Sequence, residues 1–111
     1  MIDSIINEIY QISYEYGFDV FLIDRTENTA LIRFGFTPQI FFQVYINIIK
    51  EKLNFALVVG DERIYGFDGE GGRYHKHPFN SPQSHLFTSE KKELHEFIRD
   101  SLEILKEKGL I

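Results

Sequence analysis

The sequence contains no cysteine at all. That removes disulfides, cysteine-zinc centres, iron–sulfur clusters and thiol catalysis. It also lacks a cationic excess: 12 Lys and Arg stand against 17 Asp and Glu, a net charge of −5. No broad positive field is available to hold nucleic acid non-specifically, so any phosphate contact must be local. Long apolar runs are missing too. The longest, Ile40 to Ile49, is broken by Gln43 and Asn47 and is too short to cross a bilayer as a helix. Met1-Ile2-Asp3-Ser4 offers neither the basic start nor the unbroken apolar core of a signal peptide. Repeats, low-complexity tracts and Ser/Gly/Pro linkers are absent. These absences predict a soluble, cytoplasmic protein with a single domain over residues 1–111.

What is present suffices for a core. Of the residues 43% are hydrophobic and 15% aromatic, which excludes disorder as a description of the whole. Ile2, Ile5, Ile6, Ile9, Ile12 and Tyr16 follow helical spacing, and Gly17 is a suitable stop. The period then changes to two. Strands are predicted over Phe18 to Ile23, Thr29 to Phe36, Gln39 to Ile49, Phe55 to Gly60 and Arg63 to Asp68. The clearest is the third, where Ile40, Phe42, Val44, Ile46 and Ile48 share one face. A second helix is expected near 89–108, capped by Thr88 or Ser89, with Leu94, Phe97, Ile98, Leu102 and Leu105 buried. The connections are short, as in an antiparallel meander rather than parallel βαβ units. The expected fold is therefore α+β: a five-stranded antiparallel sheet with an N-terminal and a C-terminal helix on one face. Phe21, Phe41 and Tyr45 leave the other face partly apolar, which suits a twofold homodimer.

One stretch has a different composition. Four of the 8 glycines lie between Gly66 and Gly72, and three of the 4 histidines, His75, His77 and His85, follow within eleven residues. Such polar, turn-rich sequence is expected of a site built on loops. Gly69-Glu70-Gly71-Gly72 is not a phosphate-binding loop, because no Gly-Lys-Ser/Thr follows it and no helix begins there. If the backbone is extended, His75 and His77 point to the same side. Two such rings can bind a transition metal, with His85 or Asp68 as third ligand. Alternatively one imidazole serves as general base and the other as general acid, as phosphodiester cleavage beside a ribose hydroxyl requires. Asp68 would then orient an imidazole, His85 would assist, and Arg73, Lys76 and Tyr74 would hold the substrate. The plain alternative is that these histidines are solvated or bond neighbouring turns. His95, in the last helix, is expected to be a surface residue.

The run Tyr65-Gly66-Phe67-Asp68-Gly69-Glu70-Gly71-Gly72-Arg73-Tyr74-His75-Lys76-His77 resembles the small TumE-like toxin family. That family shows an aromatic-Asp-Asn element, a glycine-containing turn and an H-x-H, after a run of strands and before a C-terminal helix. Gly69 stands where the family usually has Asn, so no side-chain amide is implied there. The resemblance implies the toxin of a toxin–antitoxin pair, acting on RNA as a ribonuclease with an antitoxin protein as partner. The competing class is a non-catalytic binding module that uses the same histidines for a metal or a protein partner.

Overall fold

The computed structural model describes residues 1–79, 86–88 and 92–111. The chain opens with α1 (Ile2–Tyr16) and closes with α2 (Leu94–Glu107). Between them run β1 (Asp19–Arg25), β2 (Thr29–Thr37), β3 (Ile40–Asn47), β4 (Lys52–Val59), β5 (Glu62–Glu70), β6 (Arg73–His77) and β7 (Leu86–Thr88). Each strand pairs antiparallel with its neighbours in sequence, giving one sheet in the order β1-β2-β3-β4-β5-β6-β7. The fold is α+β, as expected. No helix among the described residues is long and apolar enough to cross a membrane.

The strand count differs from the expected five: six strands of five residues or more are followed by a three-residue seventh. The extra strand that matters is β6, which covers part of the stretch read as a loop. Of the clustered glycines only Gly71 and Gly72 turn the chain, with φ of 56° and 80°. Two consecutive residues at positive φ make a two-residue hairpin turn whose twist matches the flanking strands. The backbone therefore re-enters the sheet at once, and Glu70 pairs with Arg73.

Strand and helix ends also move. β3 stops at Asn47 rather than Ile49, because the Asn47 Oδ1 accepts the Lys50 N–H at 3.0 Å and turns the chain. That leaves Ile48 and Ile49 exposed. α2 begins at Leu94 rather than near Ser89. Its cap is Glu93, whose N–H donates to Glu96 Oε1 at 3.4 Å in a capping box, while Thr88 belongs to β7. Ser89 lies outside the described residues. β1 carries a bulge between Val20 and Leu22.

One face of the sheet is covered. Ile32 and Phe34 of β2, Phe42 and Val44 of β3, Phe55 and Leu57 of β4, and Tyr65 and Phe67 of β5 are buried there with Ile5, Ile9 and Ile12 of α1. From α2 come Leu94, Phe97, Ile98 and Leu105. His95 sits between the helices, 3.5 Å from Glu15 and 3.8 Å from Glu8, so it is an interhelical contact as well as a surface residue. Arg25 pairs with Asp3, fastening β1 to α1 and holding the Asp3 carboxyl below its usual range.

Tyr65 joins the sheet to α2. Its ring stacks on Phe97 at 4.9 Å between centroids, and its hydroxyl donates to Asp100 Oδ2 at 3.0 Å. Burial first, and then the Asp100 charge and hydrogen bond, push the phenol well above its ordinary 10.0. The unfolded chain releases this proton near pH 10 and the folded chain does not, so stability is intact below pH 10 and falls above it. Tyr65→Phe should be less stable than wild type by about 1 kcal/mol near neutrality. Urea unfolding across alkaline pH should show that gap narrowing above pH 10; a constant gap would contradict the coupling.

Candidate active site on the open sheet face

The face away from the helices is mixed: Leu31, Phe41, Ala56 and Val58 lie on it beside polar and charged side chains. The register aligns two rungs across it: Tyr45, Asn54, Asp68 and His75, then Gln43, Ala56, Gly66 and His77. The Gly71-Gly72 turn sets this alignment, since it fixes Asp68 opposite His75 and Gly66 opposite His77. Because β6 is extended, the two histidines do share a side, as the H-x-H spacing requires.

Asp68 is the centre of the cluster. Its Oδ2 lies 2.9 Å from His77 Nε2, and its Oδ1 accepts from Arg63 Nη2 at 2.7 Å. A second guanidinium nitrogen, Nη1, donates to Oδ2 at 3.4 Å, and Nη2 also reaches the Phe55 carbonyl at 3.2 Å. The carboxylate thus binds an arginine through both oxygens while it orients an imidazole. Charge-assisted bonds of this type are stronger than neutral ones and fix geometry as well. His77 is buried, only 6% exposed, and His75 is half-buried.

Arg63 did not stand out in the sequence. Odd and even positions of a strand face opposite ways, so alternation alone would put Arg63 and Asp68 on opposite sides. A bulge joins them. Leu57 pairs with Tyr65 and Val58 with Arg63, so Ile64 is the additional residue, and it turns into the core. Gly66 completes the arrangement. A Cβ there would lie 2.1 Å from Arg63 Nη2 and 2.2 Å from Nε, so the guanidinium lies flat on the glycine backbone. This contact also explains why the Nε is buried with no acceptor among the described residues.

The other expected site residues divide between the faces. Arg73 shares the open face, exposed at the hairpin end. Tyr74 lies on the covered side, stacked on Phe67 at 6.0 Å. Lys76 is also on that side, lining a cavity of about 540 Å³ with Tyr65 and Asp100. Neither joins the histidines. His85 lies outside the described residues. Among the described residues no group of three His, Asp or Glu is placed to hold a metal ion. No protein family, curated protein or solved structure matches this chain.

The seat of Arg63 gives a direct test. Gly66→Ala should destabilise the protein by about 1 kcal/mol, the scale of a partly exposed ion pair, by lifting the guanidinium from Asp68. In an Arg63→Ala background the same change should cost nothing or stabilise, since the clash is gone and Ala suits a strand better than Gly. Denaturant unfolding of all four proteins measures the coupling. Equal costs in both backgrounds would mean that Gly66 is required for another reason.

Proposed function

We propose that the open sheet face cleaves RNA, and that the protein is the toxic half of a toxin–antitoxin pair, as the resemblance of residues 65–77 implies. The observation that carries this reading is the 2.9 Å contact between Asp68 and His77, on the same face as His75. A carboxylate that holds one imidazole while a second stands beside it is an arrangement suited to proton transfer. One histidine takes the proton of the ribose 2′-hydroxyl, and the freed oxygen attacks the adjacent phosphorus. The other gives a proton to the departing 5′-oxygen, leaving a cyclic phosphate. Arg73, exposed at the hairpin end, supplies positive charge on this face, since the Arg63 charge is taken up by Asp68; Lys76 and Tyr74, on the covered side, take no part. Since the net charge is −5, the contact is local and strongly weakened by salt.

A second reading rests on the burial of His77, 6% exposed. On that reading the Arg63–Asp68–His77 chain fastens β5 to β6, and the face binds a partner without chemistry. Purified protein incubated with RNA, and growth of cells expressing it, separate the two. Catalysis requires cleavage and growth inhibition by wild type, with a loss of roughly 100-fold or more in the His75→Ala/His77→Ala variant. Circular dichroism must show that variant folded. A folded wild type that leaves RNA intact and does not slow growth would overturn the toxin reading and leave the binding one.

A further inference from the structure

Beside the histidines, the open face carries a depression of about 300 Å³, lined by Gln43, Tyr45, Asn54, Ala56 and Arg63 among others. We infer that it seats one unpaired nucleobase, and therefore that the substrate of the site is single-stranded RNA. This inference rests on the RNA reading above. The volume is at the lower end of the roughly 300–1,000 Å³ typical of small-ligand sites, room for a ring system and little more.

The lining is chemically suited to a base. Ala56 is a small residue in the rung that continues through Gly66 to His77. Arg63 covers Gly66, so Ala56 is left as the floor and the guanidinium as the wall on the histidine side. Tyr45 contributes an aromatic ring. Aromatic rings and guanidinium planes are the groups on which unstacked bases rest. Two side-chain amides supply polar edges. Gln43 accepts from Arg33 Nε through its Oε1 at 2.9 Å, which leaves its NH2 to donate. Tyr45 accepts from Asn47 Nδ2 at 3.1 Å, which leaves its own O–H to donate, and Asn54 offers both a donor and an acceptor.

Position favours the same ligand. Ala56 and His77 are two strands apart, roughly 10 Å at the usual spacing of ~4.8 Å. Arg63 lies between them and contacts Asp68. A base in the depression therefore has its own sugar–phosphate within reach of the imidazoles. A base within a duplex is stacked and paired and cannot enter.

The test is an NMR titration with a 2′-deoxy trinucleotide, which cannot be cleaved through a 2′-hydroxyl, and with a short RNA duplex. The single strand should produce saturable shifts at the Gln43 and Asn54 side-chain amides and the Ala56 backbone, and the duplex should produce none there. Tyr45→Ala, and Ala56→Leu that fills the floor, should each weaken binding by about tenfold or more. Shifts that do not distinguish single strand from duplex, or unchanged binding in a folded Tyr45→Ala, would overturn the inference. Binding of the trinucleotide together with no cleavage of intact RNA would overturn the catalytic reading and support the base site. Cleavage of RNA by wild type and Tyr45→Ala at equal rates at every step would do the reverse.

Discussion

Asp68 is an ionised side chain in the middle of a wide sheet, and its charge needs partners at close range. Arg63 provides the neutralising charge and His77 the directional bond, with contacts of 2.7 and 2.9 Å. Two neighbouring strands converge on this carboxylate. β5 supplies it, the bulge at Ile64 turns Arg63 toward it, and β6 brings His77 from across the hairpin. A charge with a single partner could be satisfied in several rotamers. A charge held from two directions has far fewer, so the imidazole is positioned by the sheet and not by its own side-chain freedom.

The supporting fold is well suited to hold such a cluster. From β1 to β6 the meander makes each strand's place depend on one short turn, so errors in register do not accumulate through long crossovers. The helices and the apolar residues of the covered face then lock the sheet from below. Phe34, Phe42, Phe55 and Phe97 are fully buried there, and aromatic pairs such as Phe34–Phe42 at 5.4 Å link adjacent strands. Stability is concentrated on one face, and the other is free to carry polar groups that add little to folding.

This division decides what was legible in the sequence. Where one face is buried, alternation is strong: Phe42, Val44 and Ile46 announce β3, and the isoleucines announce α1 over its full length. β6 was hidden because its five residues are Arg, Tyr, His, Lys and His. Its inward positions are Tyr74 and Lys76, amphipathic side chains that cover the edge of the core with their stems and rings. They read as substrate ligands because hydropathy does not say which way a tyrosine or lysine faces. Asp68 and the paired histidines were visible as a cluster of types at the right spacing. Gly66 stood in the glycine cluster, but Arg63 was not visible, since the bulge at Ile64 reverses the parity on which such inference depends. Arg63 lies five residues before Asp68, an odd separation that regular strand geometry assigns to the wrong side.

The bulge in β1 has a consequence of another kind. Within the described residues β1 has a sheet neighbour on one side only, and it presents Phe21, Leu22 and Ile23 at 37 to 39% exposure. A flat, apolar border of that sort is a template on which a second chain can add its own strand, and a third can follow. The irregularity between Val20 and Leu22 interrupts the row of backbone groups, and Asp19, Asp24 and Arg25 place charge on either side of it. The border is thus kinked and charged where propagation would need it straight and neutral. A local distortion at the border therefore works against a second copy of the chain extending the sheet there.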